Sequence, residues 1–185
     1  GKSVASYFNL EPRLSVSYVF DDQNSVKASY ARSTQNIHLL SNATASNPTS
    51  LYVMSSNNIK PEIADQLSVG YFKNLKEDVY ECSAEVYYKD LKNQIDYKNG
   101  AQLLFNQSVE AELIYGVGRA YGIELFLKKK QGRLNGWFGY TLSRVERKFD
   151  AINNGNYYPA IQDRTHDLSL VGIYQLNDRW TLSST

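Results

Sequence analysis

Gly116 to Arg144 reads GVGRAYGIELFLKKKQGRLNGWFGYTLSR, and its alternation decides the fold. Tyr121, Ile123, Leu125 and Leu127 fall on one parity, while Gly122, Glu124 and Lys128 fall on the other, with Phe126 as the exception on that polar side. After Gln131-Gly132-Arg133 the pattern resumes, with Leu134, Phe138, Tyr140 and Leu142 against Asn135, Gly139, Thr141 and Ser143. A period of two places successive side chains on opposite faces of a strand. Gln-Gly between the halves suits a tight reversal, because glycine takes positive φ without steric cost. The stretch is therefore a hairpin with one apolar and one polar face.

The same counting finds three more hairpins. Leu14, Val16, Tyr18 and Phe20 precede a turn at Asp21 to Asn24, followed by Val26, Ala28 and Tyr30. Leu67, Val69 and Tyr71 precede Asn74 to Asp78, followed by Tyr80, Cys82, Ala84, Val86 and Tyr88. Leu168, Leu170 and Tyr174 precede Leu176 to Asp178, followed by Trp180 and Leu182. The reading is all-β: an antiparallel up-and-down meander of about eight strands, each with a wet face.

Composition removes several classes. No run approaches the roughly 20 apolar residues of a spanning helix, which leaves a spanning barrel open. With 20 basic and 19 acidic residues the net charge is +1, so nothing electrostatic points to nucleic acid. Cys82 is the only cysteine; an internal disulfide and a multi-cysteine metal site are excluded, and its parity makes it a small apolar residue. No cofactor and no metal site is expected. Gly1-Lys2-Ser3-Val4 leads quickly into strand-like sequence, so the start reads as a boundary within a longer chain.

The connections alternate in length. Those near residues 21–24, 75–78, 131–133 and 176–178 are short, whereas those near 34–60, 91–116 and 147–164 exceed ordinary loop length. Short turns at one end and long loops at the other are the pattern of an outer-membrane barrel. The apolar parity then faces lipid, and Lys27, Glu81, Glu85, Glu124 and Thr141 face a wet lumen. A soluble sandwich also alternates, but its loops show no such asymmetry.

A series of short words carries a resemblance. They are Glu11-Pro-Arg-Leu-Ser-Val-Ser-Tyr18, Lys27-Ala-Ser-Tyr-Ala-Arg32, Asn58-Ile-Lys-Pro-Glu62 with Asp65-Gln66, Glu85-Val-Tyr-Tyr-Lys-Asp90 with Asn93-Gln-Ile95, Gly118-Arg-Ala-Tyr-Gly-Ile-Glu124, Gly136 to Arg144, and Asp163-Arg-Thr-His-Asp167. In this order they resemble the C-terminal barrel portion of TonB-dependent receptors, especially those of Bacteroidetes-type outer membranes. The resemblance implies a segment of a 22-stranded transmembrane β-barrel, with residues 1–185 a partial barrel domain lacking the plug and the remaining strands. It implies an importer in the Gram-negative outer membrane that binds a scarce nutrient. Its partners would be outer-membrane lipid, the plug and remaining strands of the same receptor, the TonB energy-coupling complex and the nutrient.

Candidate recognition residues are the amides and aromatics of the long segments, since loops on a rigid scaffold carry recognition. They are Asn36, His38, Asn58, Tyr97, Phe105, Tyr157 and Tyr158. Asp163, Arg164, His166 and Asp167 form the one cluster suggestive of catalysis, but His166 and Asp167 sit on opposite parities and His38 is the only other histidine. A rim network of charges is the better reading, and no catalytic residue is assigned. A small outer-membrane barrel hydrolase and a soluble β-sandwich binding module are the alternatives. Lys128, Lys129 and Lys130 with Arg133 are read as a solvated turn near lipid headgroups.

Overall fold

The computed structural model describes residues 5–41, 50–76, 78–98 and 109–185. Among the described residues eleven strands run β1 (Arg13–Asp21), β2 (Asn24–Gln35), β3 (Ile37–Ser41), β4 (Ser50–Met54), β5 (Glu62–Leu75), β6 (Tyr80–Tyr97), β7 (Leu113–Lys129), β8 (Leu134–Phe149), β9 (Tyr158–Pro159), β10 (His166–Asn177) and β11 (Trp180–Ser184). Nine of them form one sheet in the order β1-β2-β5-β6-β7-β8-β10-β11, with the short β9 on β8. Every pairing is antiparallel. β3 and β4 form a separate hairpin. All four hairpins expected from the alternation are present, and among the described residues no helix is long and apolar enough to cross a membrane.

Neighbours in sequence are neighbours in the sheet, so short turns collect at one end and long connections at the other. Gly132, at φ 98°, occupies the left-handed region in the β7–β8 reversal, as its residue type permits. The strands outrun the expected loop boundaries at the long-loop end. Asn93, at φ 57°, marks a bulge where three steps on β6, from Leu91 to Gln94, oppose two on β7, from Gly118 to Gly116. The bulge absorbs the extra residue and pairing continues to Tyr97 and Leu113. Tyr97 and His38, expected in loops, therefore lie in strands.

The register lines up whole rows across the sheet. One face carries Tyr18, Val26, Tyr71, Ala84, Leu125, Tyr140 and Leu168 in one row. The next but one carries Leu14, Tyr30, Leu67, Tyr88, Tyr121 and Arg144. Beyond it toward the long loops comes an ionic row of Arg32, Asp65, Asp90, Arg119 and Glu146. At about 3.3 Å per residue and a tilt of about 40°, the run from Tyr80 to Tyr88 covers about 20 Å along a membrane normal, close to the apolar band of an outer-membrane barrel.

Burial is concentrated away from this face. Leu14 and Leu168 are 67% and 64% exposed, whereas Ile59 and Phe149 at the long-loop end are 0% and 1% exposed. There the β3–β4 hairpin lies against β6 and β7, and Leu40, Ile59, Ile95, Tyr97 and Leu113 form a small core with Val53 packed on it.

Candidate functional site

The two faces of the sheet differ in chemistry as sharply as the alternation predicts. Opposite the apolar rows lies a face with Ser17, Lys27, Gly70, Glu85, Glu124, Thr141 and Asp167 in one row. The adjoining row reads Ser15, Ser29, Ser68, Tyr87, Gly122 and Ser143. Glycine recurs here because long side chains from the neighbouring strand lie across it. A Cβ at Gly70 would stand 3.0 Å from Glu85 Oε2, and one at Gly122 would stand 3.0 Å from the Tyr87 hydroxyl. Phe126, the exception in the alternation, stays on this face: its ring centroid lies 6.1 Å from that of Trp137, and glycine opposes it at Gly139.

Glu85 and Glu124 face each other directly across β6 and β7. Like charges in register destabilise a strand pair, and among the described residues neither carboxylate makes an ion pair. A cavity of about 270 Å3 opens beside them, lined also by Gln66, Tyr87, Lys89 and Ala120. This face is wet, anionic at its centre and open to a further element.

At the boundary of the apolar rows the ionic row is internally matched. Arg32 holds Asp65 with Nε and Nη2 at 2.6 and 2.9 Å, the Tyr30 hydroxyl donates to Asp65 at 2.7 Å, and Lys92 adds a contact at 3.2 Å. Arg119 donates to Glu146 at 2.7 Å. These pairs sit immediately above tyrosines, the sequence of groups met on passing from hydrocarbon through headgroups to water.

The recognition candidates separate into exposed and buried sets. Asn36 and Asn58 are exposed. Asn58 donates to Glu110 at 2.7 Å, and this hydrogen bond, followed by one from Ser56, holds the Glu110 carboxyl below the usual carboxylate range. Tyr157 is exposed and its ring lies 4.0 Å from the Arg119 guanidinium and 5.8 Å from Lys148 Nζ. Tyr158 is half-buried, with its ring 6.4 Å from that of Phe149. Tyr97 is buried in the small core, and its hydroxyl has no hydrogen-bond partner among the described residues. Phe105 lies outside the described residues.

His38 is 1% exposed and sits between two polar groups, with Nδ1 3.1 Å from Glu62 Oε1 and Nε2 3.2 Å from Ser55 Oγ. Serine, histidine and carboxylate in this order have the connectivity of a nucleophilic triad. The backbone donors that would stabilise an oxyanion are committed elsewhere: Ser55 N–H to Asn36 O at 2.8 Å and Ser56 N–H to Ile59 O at 3.0 Å. What the trio does is bind the β3–β4 hairpin to the start of β5. Alternation alone could not find it, since its three members come from separate strands and connections.

The cluster near His166 acts as a rim network. Asp163 accepts from the Val145 N–H at 2.6 Å and from Arg144 at 3.0 Å, fixing the segment before β10 to β8. The His166 ring is bonded to the Tyr140 hydroxyl at 2.8 Å and pairs in register with Leu142, while Asp167 pairs with Thr141 on the other face. Histidine and aspartate thus diverge, as their parities require.

No curated protein matches the chain. The family described as TonB dependent receptor-like, beta-barrel matches residues 2–185. That match covers nearly all of a sheet with one hydrocarbon-suited face, one wet face and its long connections gathered at one end; the chain belongs to the TonB-dependent receptor family, whose members are transporters of the Gram-negative outer membrane.

Proposed function

We propose that these strands form the C-terminal part of the barrel of a Bacteroidetes-type receptor that captures a scarce nutrient at its long loops and imports it. The single observation that carries this reading is the two-faced sheet whose long connections all leave from one end. Exposed Asn36, Asn58 and Tyr157 and half-buried Tyr158 offer hydrogen bonds and ring faces suited to a polar, uncharged ligand, while His38 and Tyr97 hold the elements that present them. Phe105 belongs to the same proposed recognition end.

The plug of the receptor occupies the lumen in this reading, and the unpaired Glu85 and Glu124 are where it would supply cationic groups, which removes the like-charge cost. Transport draws on the TonB energy-coupling complex through the receptor's N-terminal part. The test uses the full-length receptor, comparing binding of iron chelates, haem, corrinoids, glycans and peptides. Tyr157→Ala should weaken the one class that binds by roughly tenfold, the loss of about 1.4 kcal/mol, with unchanged surface abundance. A folded, surface-exposed receptor that binds none of these classes, or uptake indifferent to energy coupling, would overturn the importer reading.

A further inference from the structure

The lipid-facing side holds a groove at the short-turn end. Its floor is a row in which Lys129 opposes Gly136, Gly136 opposes Gly172, and Gly172 opposes Ser184. Leu134, Phe138 and Leu170 wall it. At Gly136, with φ 148°, a Cβ would stand 2.0 Å from Val171 O, so that position cannot carry a side chain. At Gly172 a Cβ would meet nothing within 4 Å, so the groove is space that a larger residue could have filled without a clash.

Lys129 lines the groove, and Lys76 reaches the ring of Tyr80, which also lines it. Lys76 Nζ and Lys129 Nζ lie 5.7 and 6.0 Å from the centre of the Tyr80 ring, which belongs to the same outward row as Lys129. Neither makes an ion pair among the described residues, whereas their neighbour Lys130 is taken up by Glu81 at 3.1 Å. Tyr80 marks the level at which hydrocarbon gives way to headgroups on this side. An apolar groove floored at that level and walled by Phe138 and Leu170 on its bilayer side, with two ammonium groups that make no ion pair among the described residues, is complementary to one molecule, with an apolar tail and an anionic head.

We propose that this groove is a site for an anionic phospholipid of the short-turn-side leaflet, with one acyl chain over Gly136 and Gly172 and the phosphate against Lys76 and Lys129. A zwitterionic headgroup brings its own ammonium to these lysines and is the poorer fit. The proposal rests on the membrane-spanning reading given above and adds a specific lipid to it.

The test is native mass spectrometry of the full-length receptor released from nanodiscs containing phosphatidylglycerol and phosphatidylethanolamine. Wild-type receptor should retain phosphatidylglycerol in preference to phosphatidylethanolamine. Lys76→Gln and Lys129→Gln should each lower retention about fivefold. Gly172→Leu should abolish retention with both lysines in place, and Lys128→Gln, on the luminal parity of the same strand, should leave it unchanged. Heat-modifiable migration confirms that each barrel is folded, and Gly172→Ala replaces the leucine variant if that one is not.

Equal retention across all variants would overturn the site, as would a loss in Lys128→Gln matching that in Lys129→Gln. Displacement of the lipid by millimolar inorganic phosphate would show that the lysines recognise free phosphate and the groove contributes nothing. Failure of the membrane reading itself would appear elsewhere, as normal assembly of a receptor carrying arginine at Leu125.

Discussion

The meander between the two tyrosine levels and the packed end beyond it are built on opposite terms. In the meander, Leu125 and its row neighbours Tyr71 and Leu168 remain 43%, 42% and 64% exposed. At the loop end, Ile59, Phe149 and His38 are almost completely enclosed. The same residue types thus serve two solvents. Hydrogen-bonded ladders hold the meander together and lipid covers its apolar face, whereas the loop end stands in water and must supply its own apolar contacts. An accounting of buried area within the chain would rank the meander as its weakest part and would miss the bilayer entirely.

The comparison is tested most severely by Phe149→Ala. Its ring packs near Tyr158 and lies across Gly116, where a Cβ would come within 2.6 Å of it. Truncating a fully buried phenylalanine costs about 3–5 kcal/mol, and the loss should stay at the loop end. Hydrogen exchange should show Tyr158 and Ala160 losing protection while the β6 and β7 ladders between Tyr80 and Tyr88 keep theirs. Loss of protection across the whole sheet would mean that the two regions are not energetically separate.

Arginine at Leu125 strikes the other region. Midway between Tyr121 and Lys129 on the outward face, a cation there costs roughly 2–4 kcal/mol in a bilayer-embedded barrel. Glu124→Arg, one residue away and luminal, should be tolerated because water solvates either charge. The folded fraction in outer-membrane preparations, scored by heat-modifiable migration, separates them. Selective damage at Glu124 would turn the sheet inside out.

His38→Ala probes how far the loop end depends on polar closure. It leaves the buried side of Glu62 and the Ser55 hydroxyl unpaired, a loss of about 1–3 kcal/mol. Amide exchange in β3 and β4 should rise while Phe149 and its neighbours remain protected.

The smallest effect concerns pH. Because the bonds from Asn58 and Ser56 hold the Glu110 carboxyl low, its contribution is present above the ordinary carboxylate range and is lost as pH falls through the depressed folded value. Protection factors for the Asn58 and Ile59 amides should be flat between about pH 5 and 7 and fall below about pH 4. Glu110→Gln should remove that acid step.

Much of this was legible from residues alone. Alternation located all four hairpins, and the parity of Leu125 against Glu124 assigned their faces before any contact was known. Strand ends were less legible, because the bulge at Asn93 and the continuation to Tyr97 depend on partners in β7. The candidate loop residues shared a composition but not a fate: Asn58 and Tyr157 are exposed while His38 and Tyr97 are enclosed. Nothing in amide and aromatic content distinguishes a residue that meets a ligand from one that packs beneath it.

What the sequence by itself determined is therefore the part governed by period two: strands, turns and the two faces. These follow from the local geometry of an extended chain, in which neighbouring side chains must point apart. What only the tertiary structure decided is everything that register brings together: Glu85 against Glu124, His38 between Ser55 and Glu62, Asp163 under Val145, and Gly136 beside Gly172. Each joins residues on different strands or connections, and a displacement of one residue in strand pairing would separate them while leaving the overall alternation intact.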